Sequence, residues 1–337
     1  MINFIQFIIT RAFLAIITLL AVSFIVFALM ELVPANCAER YLAFKNTQGS
    51  NITIEDIEAE ERRLGLDRPF LVRWSTWVSN IVIERDFGNS CILRVRINDL
   101  MKDKFILSLG ICLTALLLAY LIAVPVGIIS ATTKFRSLDN ALKLISYLGL
   151  AIPNFLLALI IILFSVVFFG DTMTGLFTPE YVNAPWSFDK FKNFLSRAWL
   201  PIFILGWSAT AFALQTVRAL ISDEYEKLYV VAAKARGISG MTLLWKYPAK
   251  HSLGPIINSL GFDLNRIFNE LPIVALILML TESGALLVES LARTNDQQLA
   301  GAIIILLTGT IIMLNFLTDV LLAVIDPRIR KGVMGGS

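Results

Sequence analysis

Long apolar runs recur along the chain and are separated by shorter polar and charged stretches. A run of roughly 20 apolar residues is long enough to cross a hydrocarbon core of about 30 Å as a helix. Helices also satisfy their own backbone hydrogen bonds where no water is present. The pattern therefore predicts an all-α integral membrane protein with about six transmembrane helices. The predicted spans are 12–33, 105–129, 141–169, 199–216, 255–280 and 299–325.

The stretch between the first two runs, 34–104, is rich in charges of both signs and is predicted to form a small extracytoplasmic domain. Within it, 54–64 is predicted to be a helix, because Thr53 can cap its start and Gly65 follows its end. The amphipathic stretch 70–83 contains two tryptophans. We expect it to lie at the membrane interface, with direct contact to a docking partner as the alternative.

These patterns divide the chain into regions. The N-terminal helix is followed by the extracytoplasmic segment, a core of five further spans that includes a long cytoplasmic loop, and a short tail. The corresponding ranges are 1–33, 34–104, 105–327 with the loop at 217–254, and 328–337.

Composition agrees with a membrane protein, since 57% of the residues are hydrophobic, 16% are charged and the mean hydropathy is +0.74. The net charge of +3 is too small to indicate a nucleic-acid partner. The short pieces predicted to be cytoplasmic carry Arg11 near the N-terminus, Lys134 and Arg136 in the 134–143 link, and further lysines and arginines in the 217–254 loop and in the tail. Because cytoplasmic loops carry an excess of these residues, both termini are predicted to be cytoplasmic.

Cysteine placement bears on the same topology. Cys37 and Cys91 fall in the predicted outer segment, whereas Cys112 falls in a span. The two outer thiols would share an oxidising compartment, so a Cys37–Cys91 disulfide is a hypothesis. With one histidine and no paired Cys-x-x-Cys, the sequence predicts no metal site.

Motifs for bond chemistry are missing from the sequence. It contains no Gly-x-x-x-x-Gly-Lys-Ser/Thr phosphate loop, no Gly-x-Ser-x-Gly elbow and no His-Glu-x-x-His pair. We therefore predict that the chain is not an enzyme and binds no cofactor.

The loop between the fourth and fifth spans has a pattern of its own. In the segment 224–239, a short helix rich in small residues is predicted to end at Gly237, a good helix stop, before a second apolar and basic turn. Such a bent helical hairpin could sit in a groove on a soluble partner. The alternative is an amphipathic helix that lies on the anionic inner leaflet.

Several motifs in this order resemble one family, the permease subunits of binding-protein-dependent ABC importers in their dipeptide and oligopeptide branch. The loop resembles the family's Glu-Ala-Ala loop, although Val231 stands at the position of the glutamate. The resemblance covers essentially the whole chain. The matching segments are Leu64-Gly65-Leu66-Asp67-Arg68-Pro69, Asp86-Phe87-Gly88-Asn89-Ser90, Ala151-Ile152-Pro153-Asn154-Phe155, Val231-Ala232-Ala233 with Gly237, and Asp326-Pro327-Arg328-Ile329-Arg330.

The resemblance implies a bacterial inner-membrane permease that forms half of a translocation pathway. Its partners would be a second homologous permease, two ATP-binding subunits that hold ATP and Mg²⁺, an extracytoplasmic substrate-binding protein and membrane lipid. Its cargo would be peptides, peptide-like solutes or oligosaccharides. The resemblance also assigns coupling to the ATPase subunits to Tyr229, Ala232, Ala233, Ala235, Arg236, Gly237 and Ile238.

One region departs from the family pattern. Ala275 stands near an expected glutamate, while Asp263, Arg266 and Glu270 lie deep in the fifth predicted span. Charges inside a membrane are costly unless they pair or face water, and spacings of three and four place these side chains on one helix face. They are candidates either for a structural ion pair or for a part of the translocation pathway that faces the cargo.

A rival interpretation is an ion-driven secondary transporter in which Asp263, Glu270 and Asp319 relay protons. It would predict inverted repeats with broken helices, and the sequence contains no convincing internal repeat. A structural membrane scaffold is the third interpretation.

Overall fold

The computed structural model describes residues 2–47, 53–170, 172–182 and 184–325. Within these residues the secondary structure is helical, with one π-helical turn at Asn80–Glu84 and one isolated bridge between Asn89 and Arg96. The predicted tail and its signature at 326–330 lie outside the described residues. The α-helices are α1 (Ile2–Leu32), α2 (Cys37–Thr47), α3 (Ile54–Leu64), α4 (Phe70–Ser79), α5 (Ile97–Thr132), α6 (Arg136–Ala151), α7 (Asn154–Phe169), α8 (Pro179–Val182), α9 (Phe188–Tyr225), α10 (Leu228–Ala235), α11 (Gly240–Lys246), α12 (Pro248–Ile277), α13 (Ser283–Ala292) and α14 (Gln297–Ile325).

Among the described helices, four are long and apolar enough to cross a membrane: α1, α5, α9 and α14. Helices α5, α9 and α14 each contain their predicted span, and α1 covers its predicted span except for Val33. Each helix also extends beyond its span in at least one direction. In α5, α9 and α14 the extensions include polar turns that continue the helix past the apolar run, as at Phe188, where the Ser187 hydroxyl caps the first turn of α9. Hydropathy thus located these spans but underestimated their lengths.

The third predicted span is not one straight helix. The 141–169 run falls on α6 and α7, which meet at an angle of 94°. The break occurs at Ile152 and Pro153, because proline disfavours a helical conformation in the residue before it and cannot donate a backbone hydrogen bond. If the bent pair is counted as one span, it is a fifth candidate.

The fifth predicted span corresponds to α12, which is long enough but is not among the apolar candidates. Asp263, Arg266 and Glu270 lower the hydropathy of this helix. If α12 lies in the membrane, these charged side chains need polar partners within the protein.

The described residues form two compact units. The first comprises those within Met1–Arg11, Leu109–Leu280 and Leu314–Ser337. In it α9 lies against α6, α7 and α12. Small residues allow close approach, since a Cβ on Gly149 would lie 2.7 Å from the Cβ of Ala211.

The second unit comprises Ala12–Ser108 and Thr281–Met313. Here α4 packs along α1, where Trp77 joins a buried cluster with Val26, Phe27 and Met30. Arg73 of α4 also forms a two-pronged ion pair with Glu31, with distances of 2.8 and 2.6 Å.

The helix predicted at 54–64 is confirmed as α3. Thr53 caps it and exchanges hydrogen bonds with Asp56, and Gly65 ends it in the left-handed conformation with φ of 67°. Its residues are not buried within the unit, which leaves an exposed, largely acidic helix.

Candidate functional site

The loop between α9 and α12 folds as a helical hairpin made of α10 and α11, which we call the α10–α11 hairpin. Helix α10 ends at Ala235, and Gly237 turns the chain with φ of +82°. The amides of Gly237 and Ile238 donate to the carbonyls of Lys234 and Ala233, at 2.9 and 3.2 Å. This satisfies the end of α10 and directs the chain into α11.

A small core holds the hairpin together. Val230, Ala233 and Leu243 are buried against one another, with Tyr225, Ile238 and Tyr247 packed around them. The hairpin thus has its own core and is also packed against α9 and α12.

An aromatic contact links the start of α10 to the start of α12. The Tyr229 ring lies 4.8 Å from the ring of His251 and 6.2 Å from that of Tyr247, measured between centroids. Its hydroxyl donates to Glu224, near the end of α9. Tyr229 thus connects three of the helices that meet here.

The exposed residues of the hairpin include several apolar ones, alongside Lys234, Arg236 and Lys246. Leu228 is 86% exposed, and Val231, Met241 and Trp245 are also exposed. A cluster of exposed apolar side chains is typical of a contact surface.

The structure places the predicted coupling residues at different depths in the hairpin. Ala233 is 3% exposed and belongs to the core, so its side chain does not reach the surface. Ile238 is half-buried. The exposed members of the predicted set are Tyr229, Ala232, Ala235, Arg236 and Gly237.

The second candidate site is the charged face of α12. Asp263 is 2% exposed and pairs with Arg266 at 3.0 Å. The hydroxyl of Tyr120 in α5 donates to the other Asp263 oxygen at 2.7 Å and lies 2.8 Å from the Ser259 hydroxyl. Of the two pairs that the spacing allows, the structure forms the one between Asp263 and Arg266.

Arg266 also anchors α12 to α9. Its guanidinium donates to the carbonyl oxygen of Ser208 at 3.1 Å and lies 4.9 Å from the centre of the Phe212 ring. A partly buried cation is stabilised by such a carbonyl and by an aromatic face.

Glu270 contacts a different partner, the side-chain amide of Asn154. Asn154 is the first residue of α7, immediately after the break at Pro153. Its amide nitrogen also lies 3.1 Å from the Ser208 hydroxyl, so one buried amide connects α7, α9 and α12.

The sequence did not single out Tyr120, Ser208 or Asn154 as site residues. Asn154 carried a signal, since it is a polar residue directly after a proline inside an apolar run. Tyr120 and Ser208 gave little signal in the sequence, because hydroxyl side chains are common in membrane helices. Their hydrogen-bond partners are also distant along the chain.

Asp319, which the rival interpretation uses as a proton carrier, has a cationic partner. It forms an ion pair with Arg11 at 3.2 Å.

In the second unit, Cys37 and Cys91 are joined in a disulfide, with their Cα atoms 5.4 Å apart. This is the pair proposed from the sequence. Next to it, the buried carboxylate of Asp296 accepts hydrogen bonds from the amides of Cys91, at 3.1 Å, and Leu299, at 3.0 Å. Asp296 thus ties the disulfide to the start of α14.

A second buried carboxylate, Glu282, caps the start of α13. It accepts from the backbone amides of Gly284 and Ala285, at 2.7 and 3.0 Å, and from the Ser108 hydroxyl. Burial raises the pKa of Glu282 above its ordinary value, and these hydrogen bonds oppose that rise. The sequence analysis did not predict this role for Glu282.

The chain matches two family descriptions. Residues 123–331 match "Binding-protein-dependent transport system inner membrane component", and residues 4–95 match the corresponding N-terminal family, "Binding-prot-dependent transport system membrane comp, N-term".

Similar individual proteins carry related descriptions. The oligopeptide transport system permease protein AppB of Bacillus subtilis is 27% identical, over 96% of this chain and 99% of its own. The glutathione transport system permease protein GsiC of Escherichia coli is also 27% identical, with the same coverage. The putrescine export system permease protein SapB of Escherichia coli is 26% identical over 77% of this chain and 86% of its own.

Among solved structures, the chain is similar to one from the inward-facing MetNI methionine ABC transporter. The TM-score is 0.53 at 16% identity, covering 67% of this chain and 96% of the other. At this identity the similarity concerns the fold alone.

These matches leave the ion-driven interpretation without support and agree with the apolar helices of a multi-pass inner-membrane protein. The chain belongs to the family of binding-protein-dependent transport system inner membrane components, the permease subunits of ABC transport systems.

Proposed function

We propose that this permease imports its solute, lines half of the pathway and takes its energy from two ATP-binding partner subunits. Those subunits would hold ATP and Mg²⁺, while this chain performs no bond chemistry. A second homologous permease would complete the pathway, and an extracytoplasmic binding protein would deliver the solute.

The observation that carries this proposal is the α10–α11 hairpin. It exposes apolar side chains on one face, yet has a buried core and contacts with α9 and α12 on the other. A partner that binds the exposed face can therefore move the adjoining ends of α9 and α12. For ATP to drive transport, that partner must bind one permease state more tightly by a few kcal/mol.

We further propose six spans, with both termini cytoplasmic and 34–104 on the outer side. The four apolar helices and the bent α6–α7 pair provide five spans. Helix α12 provides the sixth, because its 30 residues are long enough and its buried Asp263 is paired with Arg266.

The cargo is proposed to be a peptide or a peptide-like solute, with oligosaccharides as a further class. The names of the relatives above mention oligopeptides, glutathione and putrescine. Molecules of these kinds carry a primary amino group. One of these names describes export, so the direction of transport belongs to the proposal as well.

We place Asp263, Arg266 and Glu270 beside the translocation pathway. In support, Arg266 and Glu270 are partly exposed on α12 although both lie in a helix proposed to cross the membrane. A charged side chain in that position is favourable when it faces water or a polar solute.

The test is uptake of labelled peptide into vesicles that contain this permease with its partner permease, the ATPase subunits and the binding protein. Ala232→Asp and Gly237→Asp place a charge on the exposed face of the hairpin, and both should abolish ATP-driven uptake. Ala59→Asp is the matched control, because Ala59 is also an exposed helical residue but lies in α3.

Retained ATP-driven uptake in both hairpin variants would rule out the hairpin as the coupling element. Uptake that follows an imposed proton gradient without ATP would contradict the importer proposal itself.

A further inference from the structure

The three charged side chains in the middle of α12, Asp263, Arg266 and Glu270, do not balance. Asp263 and Arg266 neutralise each other at 3.0 Å. Glu270 lies one turn further along the same face, where Arg266 attracts it at longer range, but no cation forms a direct ion pair with it among the described residues. A carboxylate left without a counter-charge in a membrane helix is costly, so its retention calls for a physical reason.

Next to Glu270 lies a polar atom that also lacks a partner. Asn154 is 3% exposed, and its amide nitrogen donates to Glu270 and Ser208. Its amide oxygen is buried and accepts no hydrogen bond from any described residue. Buried polar atoms are nearly always paired, so this oxygen indicates a missing donor.

The position of Asn154 also favours an ionised Glu270. Asn154 begins α7, and the start of a helix carries a partial positive charge that stabilises a nearby anion. The site thus presents a carboxyl group and a neutral amide acceptor side by side.

We propose that Glu270 and Asn154 form a binding point for a primary ammonium group of the transported solute. An ammonium carries one positive charge and three donors, so it can bond the carboxylate and the amide oxygen together. It also brings the net charge of the three α12 side chains to zero. The inference rests on the proposed function, because it assigns the site to the solute.

Arg266 is compatible with this arrangement. Its positive charge is taken up by Asp263 and by the Ser208 carbonyl, which turns it away from an incoming cation. Its buried Nε lacks a hydrogen-bond partner among the described residues. A carbonyl oxygen of the same solute would supply the acceptor for this donor.

The experiment compares tetraalanine that has a free amino end with N-acetyl-tetraalanine, which lacks the ammonium. Binding is measured on the purified permease–ATPase complex without the binding protein, so that the preference of the delivery protein does not enter. ATP-driven uptake by the full system is measured in parallel. The variants are Glu270→Gln and the matched control Glu180→Gln, an exposed glutamate in α8.

The parent and the control should bind the free-amine peptide about tenfold to hundredfold more tightly than the acetylated one, the usual range for a charged hydrogen bond. Glu270→Gln should reduce this ratio to near one. If that variant does not assemble, Asn154→Leu removes the amide acceptor and should also lower the ratio.

A ratio unchanged in the variants overturns the inference, even while ATP-driven uptake by the parent upholds the proposed function. Equal loss of both peptides, with separation of the two permeases, also overturns it, because Glu270 then pairs with a cation of the second permease. Absence of ATP-driven uptake by the parent contradicts the proposed function, while the binding ratio still reports on Glu270.

Discussion

Ala232 and Ala233 are neighbours with opposite environments, since Ala232 is exposed and Ala233 is buried in the core of the hairpin. An aspartate at Ala233 would place an unpaired charge in that core at a cost of about 3 kcal/mol. We predict that Ala233→Asp unfolds the hairpin locally, whereas Ala232→Asp leaves it folded but weakens binding to the ATPase subunits.

Hydrogen exchange of the amides in 228–246 separates the two effects. Exchange should quicken in Ala233→Asp and stay at the parental rate in Ala232→Asp. Equal rates in the two variants would contradict the assignment of Ala233 to the core.

Gly237 adopts a left-handed conformation, and a Cβ there would meet no atom within 4 Å. A substitution at this position is therefore opposed by the backbone and not by neighbours. Gly237→Val should destabilise the hairpin by about 1–2 kcal/mol, and Gly237→Asn by less, because asparagine tolerates this conformation. The same exchange measurement tests the order, and an equal effect of the two variants would contradict it.

At the scale of the element, the disulfide closes the 34–104 segment. A loop with a sequence separation of 54 gains about 4 kcal/mol from such a closure. We predict that reduction, or the double substitution of Cys37 and Cys91 by alanine, speeds trypsin cleavage after Arg62 and Arg63 in α3. The parent protein under oxidising conditions is the control. If both cysteines of that protein were found as free thiols, the disulfide would be refuted.

Glu282 is expected to make the stability of the fold around α13 depend on pH. Burial makes its pKa higher in the folded chain than in the unfolded chain, so the folded state holds this proton more tightly. This contribution to stability is full below the ordinary glutamate value of about 4.3 and is lost as the pH rises through the folded value.

Glu282→Gln should remove that contribution and flatten the fall of the thermal midpoint between acidic and neutral pH. Glu289→Gln, an exposed residue of the same helix, is the matched control. The role of Glu282 would be disproved by an unchanged pH profile in Glu282→Gln.

At the scale of the molecule, Arg11 and Asp319 join the first and last described helices by an ion pair. We expect Arg11→Gln and Asp319→Asn each to lower the thermal midpoint, and the double variant to lose less than the sum of both. ATP-driven uptake by the double variant should persist after the proton gradient is collapsed. Loss of uptake on collapse would instead revive a proton-relay role for Asp319.

Much of this architecture could be predicted from the sequence because lipid imposes a length on apolar runs. The four apolar helices were located this way, and the capping residues fixed α3. Apolar content does not report the direction of a helix, however, so the 94° break at Pro153 between α6 and α7 could not be predicted from it.

In the candidate sites, too, some features could be predicted from the sequence and others could not. The turn at Gly237 could be predicted from local residues, and so could the pairing of Asp263 with Arg266, as one of two choices. Partners distant along the chain could not be predicted, such as Tyr120 for Asp263 or Ser108 for Glu282, since no local rule connects them.

The disulfide also constrains how the protein is made. Cys37 follows soon after α1, and Cys91 stands shortly before α5. With 34–104 on the outer side as proposed, the bond can form only after Cys91 has been synthesised and has crossed the membrane. Maturation of this permease then depends on the cell's thiol-oxidising enzymes, and a strain that lacks them should accumulate inserted chains with an open, protease-sensitive segment.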